Sequence, residues 1–352
     1  MAINKLDIAN FRNLSKVSLD FSPSFNLFYG HNGVGKTSLL EAIHVLTQSK
    51  SFRSVSNEHL IQSNYEKALL YGEAFGGPDL LKMGMEKNKK TTLLKVNGEI
   101  QKNVLQVLRA LPVIVVNPDS YALVEEGPDI RRTFLNWGLF HVEPKFHETW
   151  RVYSRVLKQR NTALKEKKSA HIWHSFDPLL IENTILITDM RERYLQELKP
   201  IFKKILDFLK FPEEVLLTYE KGWDTDKYES FTAALEGSKT DDTQRGHTTV
   251  GAQRADVIFN IQGNLPKERL SRGQEKQLVV ALRLAQGIHL KNSTQKDSIY
   301  LIDDLASELD AARRGRLFEL LQTLSGQFFM TAIEPSVFDE SLFALFPVEQ
   351  LH

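Results

Sequence analysis

The sequence predicts a mixed α/β protein with a parallel-strand core and a mostly helical module inserted into it. Three observations carry that expectation. Residues 30–37 read Gly-His-Asn-Gly-Val-Gly-Lys-Thr and lie between a short apolar run and a helical pattern. Strand and helix patterns alternate at both ends of the chain, whereas the middle is charged, helical and poor in glycine. Far downstream, the apolar run Ser298 to Ile302, of buried-strand type, ends in Asp303-Asp304.

Taken in order, Ile3 to Ile8 predicts an opening strand, and Phe25-Asn26-Leu27-Phe28-Tyr29 a second one. The next eight residues match the phosphate-loop pattern G-x-x-x-x-G-K-[ST] in full. Leu39, Ala42, Ile43 and Leu46 then recur at helical spacing, so the glycines sit between a strand and a helix, the context the motif requires. Gly30, Gly33 and Gly35 let the backbone wrap tightly enough to aim N–H groups at phosphate oxygens, and the helix opening near Lys36 adds its positive end. The candidate nucleotide-binding segment is therefore Gly30, His31, Asn32, Gly33, Val34, Gly35, Lys36, Thr37 and Ser38. Lys36 would reach the β- and γ-phosphates of ATP, and the Thr37 hydroxyl would ligate Mg²⁺. The competing reading is a glycine-rich turn before an ordinary helix; the correct flanks argue against it.

Strand patterns follow at Ala68 to Phe75, Leu80 to Met85 and Thr91 to Val96, the last leading into an Asn97-Gly98 turn. From Pro118 to about Leu209 the chain reads as helical. Trp150, Tyr153, Leu157 and Leu164 fall on one helix face, and Asp177-Pro178 reads as an N-cap followed by proline at the first helical position. Val215 to Tyr219 is a strand candidate, and Gly237 to Thr249, rich in Gly, Ser, Thr and Asp, reads as a mobile surface loop. The expected organisation is one α/β domain from residues 1–116 and 245–352, with a mostly helical arm, 117–244, inserted between them.

At 352 residues the chain accommodates about two domains. With 42% hydrophobic and 25% charged residues it has a globular composition, and no apolar stretch approaches a membrane span. The first residues lack the apolar core of a signal peptide. Zero cysteines exclude disulfides and thiolate metal sites and fit a cytoplasmic protein. A net charge of +1 means that affinity for nucleic acid must come from local patches.

Asp303 stands where a phosphate-loop NTPase needs a second ligand to Mg²⁺, opposite Thr37, and Asp304 would orient or deprotonate the attacking water. Ser271 and Gln274 are spaced as a capping box ahead of a helix from about Gln274 to Leu290. A serine hydroxyl, the unhindered Gly273 N–H and a helix N-terminus also suit a γ-phosphate, so the structural and functional readings coexist.

Leu270-Ser271-Arg272-Gly273-Gln274, then Ile299 to Asp304, then Ser307-Glu308-Leu309-Asp310 resembles the signature motif, Walker B strand and D-loop of ATP-binding-cassette ATPases, in that order. Within that superfamily the chain resembles the RecF family over nearly its full length. The further matches are Phe11-Arg12-Asn13, Ser51-Phe52-Arg53, Gly127-Pro128 with Arg131-Arg132 and Phe134-Leu135, Leu157 to Asn161, and Thr249-Val250-Gly251 with Arg254-Ala255-Asp256. Departures are Ala252-Gln253, where that family usually has Pro-His, and Asp304, where cassette ATPases commonly have Glu. No clear counterpart of the transporter lid glutamine is present, Asn117 being the only candidate, and Thr331 falls where transporters place a switch histidine.

The resemblance implies an ABC-type, SMC-like ATPase head with an inserted arm. It implies an ATP-dependent homodimer in which Ser271, Gly273 and Gln274 of one subunit close over the nucleotide held at Lys36 of the other, and slow, DNA-stimulated hydrolysis. Arg12, at the turn after the first strand, is a further candidate for the phosphates. The implied partners are double-stranded and gapped DNA and RecR acting with RecO. The implied role is loading of RecA at gaps, with a part in SOS induction. The competing functions are an SMC-like chromosome-organising ATPase, disfavoured because the insertion is too short for a long coiled coil, and a DNA clamp in which ATP is a structural ligand.

Between Lys145 and Lys168 lie eight Lys or Arg and two Glu. Arg151, Arg155, Lys158 and Lys165 follow one side of a helix and could track DNA phosphates; a solvated helix face is the alternative. Lys87, Lys89 and Lys90 form a second candidate patch, with a solvated hairpin tip as its alternative. Arg131 and Arg132 are read as partners of acidic residues within the arm, and His171 and His174 as surface or packing residues.

Overall fold

The computed structural model describes residues 1–75, 79–304 and 310–351. The first part of the chain forms β1 (Ala2–Phe11), β2 (Leu14–Asp20), β3 (Phe25–Tyr29), α1 (Lys36–Gln48), β4 (Lys67–Phe75), β5 (Leu80–Asn88), β6 (Thr92–Val96), β7 (Glu99–Gln101), α2 (Leu105–Ala110) and β8 (Val113–Val116). Next come α3 (Ala122–Glu125), α4 (Pro128–Val142), α5 (Phe146–Lys165), α6 (Ala170–His174), α7 (Asp177–Phe208), β9 (Leu216–Glu220), α8 (Phe231–Gly237), α9 (Lys239–Arg245), β10 (Asp256–Asn260) and α10 (Pro266–Arg269). The chain finishes with α11 (Arg272–Thr294), β11 (Ser298–Ile302), α12 (Ala311–Thr323), β12 (Gly326–Ala332) and β13 (Phe343–Pro347). Ser307, Glu308 and Leu309 of the expected D-loop lie outside the described residues; Asp310 caps α12, accepting the Arg313 N–H at 2.8 Å. Among the described residues no helix is long and apolar enough to cross a membrane.

Two compact units divide the chain, Met1–Ser120 with Leu290–His352 and Tyr121–His289. The first holds two sheets. An antiparallel sheet runs β2-β1-β4-β5-β6-β7, and a parallel one β13-β3-β12-β11-β8. The strand patterns explain the difference. β4 alternates buried and less buried positions, as a sheet with one solvated face must, whereas all five residues of β11 are buried. Asn97 and Gly98, at φ 51° and 88°, make the turn from β6 to β7 that the sequence predicts. Leu39, Leu40, Ala42, Ile43, Val45 and Leu46 of α1 pack into one apolar core with residues of both sheets. Buried Gln327 of β12 ties the sheets together: it accepts the Ile3 N–H and donates to Ile3 O and Ser22 O, each at 2.8 Å.

In the second unit α5 packs on α7, and β9 pairs with β10. That pairing and the packing of α4 on β10 keep the residues after 245 with the helices, so the compact boundary falls at 289/290 rather than at the change of sequence pattern near 245. The loop expected over Gly237 to Thr249 is a correction. It contains α9, and Asp242 is fully buried, accepting Arg160 Nη1 at 2.7 Å and the Thr249 N–H at 2.8 Å. Arg160 Nε also donates to Asp177 at 2.8 Å. A buried guanidinium needs such acceptors, and local composition cannot announce a partner 82 residues away. Asp177 is the first residue of α7 rather than its N-cap, with its carboxylate on Arg160 and on His174 Nδ1, 2.7 Å away. Gln253, at the usual Pro-His position, is bonded to the Tyr153 hydroxyl and donates to Val250 O at 2.9 Å, while Ala252 O accepts Arg191 Nη1 at 2.7 Å.

Candidate functional site

β3, β12 and β11 are adjacent and parallel, with Phe28 opposite Thr331 and Ile302 opposite Met330. Their carboxyl ends therefore bring the Gly30 loop, Thr331 and Asp303-Asp304 to one edge, where parallel sheets gather their ligands. Gly35, at φ 116°, is the N-cap of α1, and no side chain caps that helix. A Cβ on Gly35 would stand 3.0 Å from Leu14 Cδ2 and 3.1 Å from Asn13 Nδ2, so the conformation demands glycine and the space beside it is tight. Asn13 braces the loop by donating to Gly33 O at 3.3 Å and accepting the Ser38 hydroxyl at 2.8 Å.

Lys36 is buried and folded over its own loop, with Nζ 2.6 Å from Gly30 O and 2.9 Å from His31 O. Burial lowers its pKa, opposed by the charges of Asp304, Asp303 and Glu349. Thr37 and Asp303 meet across 266 residues: the Thr37 hydroxyl donates to Asp303 Oδ2 at 2.9 Å. The Thr331 hydroxyl donates to Asp303 Oδ1 at 2.9 Å and accepts the Asp304 N–H at 2.7 Å. Burial raises the Asp303 pKa, and the bonds from Thr331 and Thr37 oppose the rise. Among the described residues no cluster of three or more His, Asp or Glu could hold a metal. One hydroxyl and one carboxylate, both hard oxygen donors, fit the Mg²⁺ pattern, in which waters and substrate phosphates complete the octahedron. Glu349 accepts the His31 N–H at 3.0 Å from the C-terminal 3₁₀ turn.

Arg12 makes a bidentate pair with fully buried Glu41, at 2.8 and 2.6 Å, and Ser51 donates to the same carboxylate. The separate sequence blocks around Arg12 and Ser51 thus converge on one carboxylate of α1. Sequence reasoning missed Glu41, Asn13 and Glu349 as neighbours of the site. The signal for Glu41 was a glutamate within the apolar face Leu39-Leu40-Glu41-Ala42-Ile43, since a buried acid needs a partner.

In the second unit, Ser271 and Gln274 form the expected capping box. The Gln274 side chain accepts the Ser271 N–H at 2.7 Å, and the Ser271 hydroxyl accepts the Gln274 N–H at 3.4 Å. Ser271 is exposed, and Gly273 is half-buried. Arg151, Arg155, Lys158 and Lys165 are all exposed on α5. Lys158 and Lys165 edge a cleft of about 620 Å³ also lined by Trp150, Arg245 and His247. The second basic patch needs correction. Lys87 is buried, with its ammonium on Ser49 O, Asn57 Oδ1 and Thr92 Oγ1 at 3.0–3.1 Å, and Lys89 pairs with Glu58 at 2.7 Å. Lys87 falls on the inward side of the β5 alternation, which a run of three lysines obscures. Arg132 pairs with Asp129 within the arm, as expected, whereas Arg131 pairs at 2.7 Å with Asp256, beyond the expected arm boundary at 244.

Residues 2–350 match the family model described as the RecF/RecN/SMC N terminal domain. A DNA replication and repair protein RecF from Shewanella frigidimarina is 37% identical over 356 residues, covering 99% of this chain and 98% of that protein. A solved structure of the recombination mediator protein RecF with ATP, in the RecFOR pathway, superposes with a TM-score of 0.84 at 27% identity, covering 96% of this chain and 93% of that one. The Smc head domain of Pyrococcus furiosus, with a TM-score of 0.58 at 17% identity and coverage of 96% and 90%, shares the fold.

Proposed function

The chain belongs to the RecF family of DNA replication and repair proteins, within the RecF/RecN/SMC group of SMC-like ATPases, and from that premise we propose an ATP-dependent DNA-binding recombination mediator. The observation that carries the reading is the meeting of Thr37 and Asp303 at 2.9 Å beside the Lys36 loop. The backbone amides of Gly30 to Ser38 and the Lys36 ammonium would hold the triphosphate of ATP, with Lys36 leaving the Gly30 and His31 carbonyls for phosphate oxygens. Thr37 and Asp303 would hold Mg²⁺, which neutralises charge on the β- and γ-oxygens. Asp304 would orient the attacking water and accept its proton; its short side chain supports slow hydrolysis. Arg12, held by Glu41, would approach the phosphates with its outer N–H groups.

Ser271, Gly273 and Gln274 of a second copy would close over the γ-phosphate, making ATP the link between two subunits. The functional head would then combine residues 1–116 and 245–352, with 117–244 as the arm. In the cytoplasm the dimer would bind double-stranded DNA near gaps through Arg151, Arg155, Lys158 and Lys165. It would act with RecR and RecO to load RecA, with SOS induction as a consequence.

Burst and steady-state ATP turnover, with and without gapped DNA, and light scattering on the same samples test the reading together. Slow turnover stimulated by DNA, an ATP-dependent dimer lost in Ser271→Arg, and strongly reduced turnover in Asp304→Asn are expected. Wild-type turnover by Asp304→Asn would remove that residue from the chemistry. A burst without steady-state turnover would favour ATP as a structural ligand of a DNA clamp.

A further inference from the structure

We propose that Thr331 is a positioning residue that sets both acidic residues of the nucleotide site through one hydroxyl. The inference rests on reading that site as one for ATP with Mg²⁺. Thr331 is 2% exposed, near the carboxyl end of β12, the strand between the one that delivers the phosphate loop and the one that delivers Asp303. A hydroxyl carries one proton and two lone pairs, so its two observed bonds coexist. The Asp304 N–H points into it at 2.7 Å, which leaves its own proton for Asp303 Oδ1 at 2.9 Å.

Each bond has a separate consequence. The bond to Oδ1 fixes the carboxylate plane, and with it the edge turned to the Thr37 hydroxyl, 2.9 Å from Oδ2 and 3.1 Å from Oδ1, where the cation would sit. The bond from the Asp304 amide holds a residue at φ 52°, a left-handed conformation that is unfavourable for a non-glycine residue. Thr331 thereby links where the metal ligand points to where the water-directing carboxylate begins. The other polar side chain of β12, Gln327, is committed to Ile3 and Ser22 at the far end of the strand and cannot substitute.

Thr331→Val removes the hydroxyl at nearly constant volume, Thr331→Ala removes it without branching, and Thr331→Ser keeps it. The measurements, on the full chain, are affinity for a fluorescent ATP analogue with and without Mg²⁺, turnover against Mg²⁺ concentration, and thermal midpoint. In Thr331→Val and Thr331→Ala, affinity without Mg²⁺ should stay within about twofold, while the half-saturating Mg²⁺ concentration rises about 10-fold to 100-fold and turnover falls. Thr331→Ser should return both to near the wild-type value. Wild-type Mg²⁺ dependence in the hydroxyl-free variants, or equal loss of affinity with and without Mg²⁺, would overturn the role and leave the ATP site standing. Failure of the wild type itself to bind ATP would overturn the site reading and the role with it.

Discussion

Helices α1 and α5 present their chemistry in opposite ways. α1 turns almost every side chain inward, with even Glu41 fully buried, and offers the uncapped backbone of its first turn to the candidate nucleotide site. α5 buries Tyr153, Val156, Arg160 and Leu164 and leaves Arg151, Arg155, Lys158 and Lys165 in solvent. The difference bears on how specific a motif is. A backbone site needs glycines at fixed places and a strand and helix on either side, which little else requires. A stripe of cations needs only exposure, which solvation alone satisfies. Within the same run of eight cations, Arg160 is structural: its guanidinium binds Asp177 and Asp242 inside the unit.

The largest effect that separates these roles should come from Arg160. Arg160→Ala leaves Asp242 buried and unpaired, so thermal or urea unfolding should show a loss of about 3–5 kcal/mol. The same change at exposed Arg155 should stay within about 0.5 kcal/mol. Comparable losses at both positions would erase the distinction between buried and exposed cations on α5.

A smaller effect would sharpen the functional half of the comparison. If Lys158 and Lys165 contact DNA phosphates, the double variant Lys158→Ala with Lys165→Ala should bind duplex DNA more weakly at every sequence. Its slope of log affinity against log salt should shrink by about 2. An unchanged slope would make the stripe a solvated face.

The smallest effect concerns α1. His44 packs edge-on to Phe52, 5.3 Å between ring centroids, and its Nδ1 lies 2.7 Å from Lys50 O. Burial pushes its pKa down to about 4. The folded state thus favours the neutral ring, whereas the unfolded chain takes up a proton below the ordinary value of about 6.5. Stability should be full above that value, fall as pH drops toward about 4, and lose on the order of 1 kcal/mol for this half-buried group. His44→Gln should flatten that part of the pH profile of the thermal midpoint; an equally steep profile would assign the loss to other groups.

Much of the fold and site was legible. The phosphate loop, the strand ending in Asp303, the Asn97-Gly98 turn and the Ser271–Gln274 capping box each depend on residues near in sequence, and each is present. The failures share a cause. Gly237 to Thr249 has loop composition, but Arg160 recruits Asp242 into the interior and α9 forms around it. Lys87 reads as one of three surface lysines, but strand alternation turns it inward to three oxygen acceptors. Arg12 remains a candidate for the phosphates, and what the sequence left out is its partner Glu41, 29 residues away.

By itself the sequence determined what is local: which segments are strands or helices, where glycine is obligatory, and which residues are candidates for phosphate and metal chemistry. Backbone conformation and side-chain period are set within a few residues, so a linear reading captures them. Only the tertiary structure decided which strand lies between β3 and β11, and with it that Thr331 joins Asp303 to Asp304. It also decided which cation of a basic run is buried with a carboxylate and which remains in water. Those outcomes depend on partners tens to hundreds of residues away, whose meeting follows from strand order and core packing rather than from any local pattern.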